Sequence, residues 1–234
     1  NEVAQLVGSS ETLHRVAVSP DGTQLAAATS AGLALFQLPD FAPLGMLIEG
    51  EVREIAWSPD GRFLAGSTAT QTIAVWNSAD GSPVNQITGS ATALAWSPDS
   101  TQLLIGSASG QVQLWPITQA EAAGSWNDHT AAISQLAWSP AGLTFASGSG
   151  SSSVWFRSVD GTGEERSSFR QNGVHGLAWS PDGLRLATAG ADGTVRLETV
   201  SSRQLQTVSC GGGGDPLAIV WLDDETVATG SEDG

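Results

Sequence analysis

Between residues 174 and 208 the sequence alternates four short, largely apolar runs with tight-turn signals. Val174 to Trp179 reads as a first strand, and Ser180-Pro181-Asp182-Gly183 follows with Ser at the first corner, Pro at the second and Gly at the fourth, as a type I turn prefers. Leu184 to Ala189 reads as a second strand, Ala191-Asp192-Gly193 as the next reversal, Thr194 to Thr199 as a third strand and Arg203 to Ser209 as a fourth. The pattern predicts an antiparallel four-stranded meander. Residues 52 to 88 divide in the same way, with Asp60-Gly61 at the first turn and Asp80-Gly81 leading into the last strand. Helical spacing is nowhere sustained, and the density of Gly, Ser and Thr argues against long helices.

The end of the first strand and its turn form a repeated phrase. It reads Val16-Ala17-Val18-Ser19-Pro20-Asp21-Gly22, Ile55-Ala56-Trp57-Ser58-Pro59-Asp60-Gly61, Leu94-Ala95-Trp96-Ser97-Pro98-Asp99, Leu136-Ala137-Trp138-Ser139-Pro140 and Leu177-Ala178-Trp179-Ser180-Pro181-Asp182-Gly183, with a degenerate copy at Ile219-Val220-Trp221-Leu222. The serines are 39, 39, 42 and 41 residues apart, and Trp179 to Trp221 adds 42. A period near forty marks a repeat architecture. A lone four-stranded sheet has two faces to cover, and radial stacking of successive sheets covers both. The expectation is an all-β protein, a β-propeller of four-stranded antiparallel blades with about six blades in one domain, 1–234. The repeats fall at 11–50, 51–89, 90–127, 128–171, 172–212 and 213–234, and Glu2 to Val7 reads as an outer strand of a preceding or closing blade. The last copy holds two strands, so the reading is a fragment of a seven-bladed or longer array, with a closed six-bladed ring as the alternative.

The Ser-Pro-Asp-Gly turns, second-strand runs such as Leu186-Ala187-Thr188-Ala189-Gly190-Ala191-Asp192-Gly193, and third strands ending Val75-Trp76 and Leu114-Trp115 resemble the WD-repeat β-propeller family, in a degenerate, bacterial type of repeat. The resemblance covers essentially the whole chain. Blades of that family often carry a hydrogen-bonded set of His, Ser or Thr, Asp and Trp, and no blade here matches all four. His129 and Ser147 fit the first two places of one blade, while Ser151 and Arg157 stand where Asp and Trp belong; Glu198 replaces the Trp of the next. The resemblance implies a protein-interaction scaffold or sensor that presents loops and channel-mouth residues to a protein or peptide. Similar repeats are appended to signalling ATPases and protein kinases, so the resemblance implies one of two settings, fusion to such a regulatory domain or a stand-alone or secreted propeller.

Charge narrows the partners. Twenty-four Asp and Glu stand against nine Arg and no Lys, for a formal net charge of -15. Phosphate backbones and anionic membrane surfaces both need a basic face, so no nucleic-acid partner is expected. No apolar run approaches the roughly 18 residues of a membrane span, and none inserts in a membrane on this reading. Cys210 is the single cysteine, which excludes an internal disulfide or a thiolate metal cluster within one chain.

Candidate chemistry is sparse. First strands line the axial channel in the family, and here they carry Ala17, Ala56, Ala95, Ala137, Ala178 and Val220 at one place, with Glu54 the only acidic residue. Small apolar residues neither coordinate metals nor activate water, so no catalytic residue, cofactor or metal is expected. Asp21, Asp60, Asp99 and Asp182 read as turn residues on separate blades. His14, Arg53, Thr92, Ser134, His175 and Leu217 lie five residues before the turn serine or its equivalent. Their diversity at one register, beside monotonous Ala and Trp, marks a candidate ligand ring, because repeats vary where they bind and stay uniform where they pack. Two longer connections, Glu121 to Thr130 and Gly161 to Asn172, add Trp126, Arg166, Phe169 and Arg170, types enriched at binding hot spots. The alternatives are a propeller hydrolase or lactonase with a channel metal, and a purely structural propeller.

Overall fold

The computed structural model describes residues 11–150, 153–160, 166–170, 173–209 and 214–233, with backbone alone at 166–170. The expected outer strand at Glu2 to Val7 and the position of Ser151 lie outside the described residues. The described chain is all β. No helix in it is long and apolar enough to cross a membrane. The first sheet contains β1 (Leu13–Val18), β2 (Gln24–Thr29), β3 (Gly32–Gln37) and β4 (Ala42–Glu49). The second contains β5 (Val52–Trp57), β6 (Phe63–Thr68), β7 (Thr72–Asn77) and β8 (Pro83–Thr88), and the third β9 (Ala93–Trp96), β10 (Gln102–Gly106), β11 (Val112–Pro116) and β12 (Gly124–Trp126). The fourth holds β13 (Ile133–Trp138), β14 (Thr144–Ser149), β15 (Ser153–Ser158) and β16 (Arg166–Arg170). The fifth holds β17 (Val174–Trp179), β18 (Arg185–Gly190), β19 (Thr194–Thr199) and β20 (Gln204–Ser209), followed by the pair β21 (Pro216–Trp221) and β22 (Val227–Ser231). Strands neighbour one another in chain order, as a meander requires. The fold is a β-propeller of about six blades.

The Ser-Pro-Asp-Gly phrase closes the first hairpin by a fixed set of bonds. Gly183 N donates to Ser180 O at 2.9 Å. Ser180 Oγ donates to Asp182 Oδ1 at 2.5 Å and accepts from Arg185 N at 2.9 Å. Pairing starts at Arg185 for that reason, one residue later than the apolar run suggests, and leaves Leu184 exposed. The same serine-to-aspartate bond recurs at Ser19–Asp21, Ser58–Asp60 and Ser97–Asp99, each at 2.6 Å. Serine hydroxyls hold the carboxyls of Asp21, Asp99 and Asp182 below their ordinary value. The fourth corner takes φ near +71° at Gly22, Gly61, Gly142 and Gly183, where glycine has no Cβ to clash. Ser100 holds φ of 60° at this corner, and its Oγ accepts from Asp60 N at 3.1 Å.

The chain divides into two compact units, Asn1–Ile105 with Trp115–Ala123 and Gly106–Leu114 with Gly124–Gly234. In the first unit, Ala26, Ala28, Leu33 and Leu35 of the first sheet pack on Val52, Ile55, Leu64 and Trp76 of the second. Ile73, Val75 and Ile87 in turn pack on Trp96, Leu103 and Ile105. In the second unit, Ala146, Val154 and Phe156 meet Val174, Leu177 and Leu186. Each core lies between successive sheets. Second strands are consequently covered on both faces, which is why β2, β14 and β18 are buried at every residue but the first and read as runs of small residues.

Polar stitches cross these apolar interfaces at one register. Indole Nε1 of Trp57 donates to Ala17 O at 3.1 Å, and that of Trp96 to Ala56 O at 2.9 Å. In the second unit Trp179 donates to Ala137 O at 3.1 Å and Trp221 to Ala178 O at 3.0 Å. The repeated Ala-Trp pair is therefore an acceptor and a donor, each serving a different neighbour. Trp96→Phe keeps an aromatic ring against Phe63 but removes the donor, and its cost is about 1–2 kcal/mol in urea unfolding, with an unchanged slope against denaturant. Close approach supplies a second test. A Cβ added to Gly148 would stand 2.6 Å from Val174 Cγ1 and 2.8 Å from its Cβ. Gly148→Ala should lower stability by about 1–3 kcal/mol, and Val174→Ala in the same chain should recover part of that loss.

Candidate interaction site at the first-strand bulges

The register singled out in the sequence is a structural irregularity. In the first sheet Leu13 pairs with Thr29 and Arg15 with Ala28, which leaves His14 as the extra residue of a β-bulge. Val52↔Thr68 followed by Glu54↔Ser67 isolates Arg53. Ile133↔Ser149 and Gln135↔Gly148 isolate Ser134, Val174↔Gly190 and Gly176↔Ala189 isolate His175, and Pro216↔Ser231 and Ala218↔Gly230 isolate Leu217. Thr92 directly precedes β9. A bulged residue leaves the regular pleat, so its side chain is re-aimed and escapes the packing that constrains its neighbours. Five sheets thus expend one residue each on the same device.

In the first unit the bulge residues meet a carboxylate. Glu51 Oε1 lies 3.3 Å from His14 Nε2 and accepts from Arg53 Nε at 2.9 Å, so one carboxylate holds two bulge residues of successive sheets. The bond from Arg53 keeps the Glu51 carboxyl below its ordinary value. One residue further along each strand, Arg15 Nε meets Glu54 Oε2 at 3.3 Å. Burial pushes the Glu54 carboxyl up, partly offset by the Arg15 charge. In the second unit the contacts are neutral: Ser134 Oγ donates to Val174 O at 2.5 Å, Gln135 Nε2 donates to His175 O at 2.8 Å, and Leu217 is exposed. His175 Nδ1 is buried without a hydrogen-bond partner. Glu51 escapes the sequence reading because it belongs to a connection, although the charged run Glu51-Val52-Arg53-Glu54 is visible there.

The two longer connections need correction, because the structure places their aromatic and basic residues on outer strands. Trp126 ends β12, opposite Val112, and its ring meets Phe145 edge-on at 5.0 Å. The apolar ring is half-buried because a strand edge and a neighbouring phenyl group cover it better than solvent does. Arg166, Phe169 and Arg170 fall on β16, where Phe156↔Arg166 and Ser153↔Arg170 extend the ladder; their side chains lie outside the described residues. Among the described residues, no three His, Cys, Asp or Glu side chains form a group able to hold a metal ion.

The fourth sheet makes one contact of the family set and adds an ion pair. His129 Nε2 and Ser147 Oγ are 2.8 Å apart. Arg157, in the place expected for Trp, donates Nε to Asp128 Oδ2 at 2.9 Å and Nη2 to Oδ1. The guanidinium also lies 5.5 Å from the Trp155 ring centre. Burial pushes the His129 imidazole below its ordinary value, against the pull of Asp128. The folded chain therefore binds fewer protons here than the unfolded chain, and this contribution to stability, present above about pH 6.5, is lost as pH falls through the folded value. Glu54, whose carboxyl is pushed up, acts in the opposite direction. The unfolding midpoint of the wild type should drop from about pH 7 to about pH 5 more than that of His129→Gln, and urea titrations at the two pH values measure the difference.

Sequence models agree with this geometry. A model described as WD domain, G-beta repeat, matches residues 81–116, 121–156 and 163–197, and one for the WD40 domain of anaphase-promoting complex subunit 4 matches 47–92. Each of the three G-beta matches starts before an outer strand and runs into the third strand of the next sheet, so the sequence repeat spans parts of two sheets. A search of curated protein sequences returns no match. A chain in the crystal structure of a mitotic checkpoint complex superposes with a TM-score of 0.85 over 99% of this chain and 74% of that one, at 19% identity, a likeness of fold. Repeat phrase, four-stranded sheets, matching models and superposition converge, and the chain belongs to the WD-repeat β-propeller family.

Proposed function

We propose that this chain is a non-catalytic interaction module in which the first-strand bulges of each unit, taken separately, are recognition surfaces for a protein partner. Propellers of the family generally mediate protein–protein interaction. The observation that carries the finer reading is the bulge at one register in five sheets, occupied by His14, Arg53, Ser134, His175 and Leu217 in turn. Packing would favour one residue type there, as it does at the Ala-Trp pair beside it. Recognition favours a different residue on each blade, held in place by fixed neighbours such as Glu51 and the Val174 carbonyl. Such a surface is preorganised, so little ordering opposes binding.

Selection of displayed peptides on the immobilised chain tests the reading. The triple variant His14→Ala, Arg53→Ala, His175→Ala should bind the selected peptides at least about tenfold more weakly, as loss of hot-spot residues does. Its thermal midpoint reports whether the fold is retained. Peptides that bind the folded triple variant as tightly as the wild type would point to another surface.

A further inference from the structure

The outermost strand of the first sheet is unlike the others. β4 is the longest strand, and Ala42 to Ile48 carry no charge and include Leu44 and Met46, each 50% exposed. Its pairing with β3 is interrupted twice. Leu33↔Ile48 followed by Ala34↔Met46 leaves Leu47 as a bulged residue, and Leu35↔Gly45 followed by Phe36↔Pro43 leaves Leu44 as another. Both leucines are turned out of the regular pleat, and both line a groove of about 460 Å³ closed on its other side by Ser78 to Gly81, the turn between β7 and β8. The whole groove belongs to the first unit. Its volume is that of a ligand pocket.

The lining states which chemistry fits. Its one charged residue is Asp80, whose Oδ1 accepts from Ser82 N at 2.9 Å and Ser82 Oγ at 2.6 Å. These bonds hold the Asp80 carboxyl below its ordinary value and keep it anionic. Gln24 also lines the groove, and its side-chain oxygen is buried without a donor. Ser78 directs its hydroxyl to Gly61 O at 2.6 Å. The cation next to this turn in the sheet, Arg62, is committed to Asp60 and lies over the Phe63 ring. A groove of largely polar lining that has Leu44, Met46 and Leu47 along one wall and an anion on the other, on a chain of net charge -15, matches a side chain with an apolar stem and a cationic head.

We propose that this groove is a second docking site, for a basic extended segment of a protein partner that inserts one arginine or lysine. The stem lies along Leu44 and Met46, the head reaches Asp80, and the segment runs beside β4, which is last in its sheet. The site stands apart from the bulge reading, since it uses the outermost strand and none of the bulge residues of the first strands.

Met46 is the only methionine, so a chain labelled with [13C-methyl]methionine reports on the groove by a single NMR resonance. The probes are two capped pentapeptides, Leu-Arg-Leu-Arg-Leu and Leu-Glu-Leu-Glu-Leu. The arginine peptide is expected to move the Met46 resonance saturably and the glutamate peptide to leave it in place. Asp80→Asn should weaken the arginine peptide about tenfold through loss of a charge-assisted bond. Leu44→Ser, at an exposed position that leaves the core intact, should weaken it about threefold. His14→Ala should bind as the wild type does, which separates this site from the bulges. Absence of a saturable shift, equal shifts with both peptides, or unchanged affinity in both groove variants overturns the proposal.

Discussion

The bond from a tryptophan indole to an alanine carbonyl on the preceding sheet sets the terms for the rest of the molecule. It demands a large side chain with one donor at the end of a first strand, and a small residue beside it so that the neighbouring backbone is within about 3 Å. Such bonds recur at one register in both units, from Trp57 and Trp96 in the first and from Trp179 and Trp221 in the second. Each leaves no indole N–H unsatisfied in a dry interface, where an unpaired donor would cost about 1–3 kcal/mol. The spacing they fix is narrow, which suits the small residues that predominate in β2, β14 and β18, and Gly148 accepts the side chain of Val174 at a distance that no Cβ tolerates. In the first sheet Val18 occupies the tryptophan register; it is exposed and has no side-chain donor to offer.

Turns and strand ends are legible in the sequence because their causes are local. A serine, an aspartate two residues on and a glycine in the left-handed region determine one another's hydrogen bonds within five residues, and the structure shows the expected bonds at Ser19, Ser58, Ser97 and Ser180. Interactions that join distant segments are less legible. Trp126 and Arg166 read as loop residues because the outer strands have weak patterns, and only pairing with Val112 and Phe156 makes strands of their surroundings. Arg157 reads as a defect in the family pattern. Its compensation, Asp128, lies 29 residues away on another connection, and no spacing rule links the two.

The candidate site was half visible for the same reason. Its register follows from counting back from the turn serine, and the variety of residues there is plain. That the register is a bulge is a property of pairing between β1 and β2, or between β17 and β18, where a shift of one residue changes which side chains face the neighbouring sheet. Glu51 reaches back to His14 on the preceding sheet and the Val174 carbonyl to Ser134, and neither contact follows from the repeat spacing.

Bulges resolve a conflict inherent in a stacked-sheet repeat. Inner-strand residues are pressed between adjacent sheets, so a change of size or charge there propagates into the spacing that the indole bonds enforce. A bulged residue is released from that constraint while the strand on either side of it keeps its register. The same device recurs on β4, where Leu44 and Leu47 leave the ladder and line a groove, whereas β2 and β18, with no such interruption against their third strands, stay buried almost throughout. On the first strands, residue type differs from sheet to sheet at the position where the ladder is broken. The stacked sheets keep their spacing, and the interruptions are where a residue can differ from one sheet to the next without disturbing it.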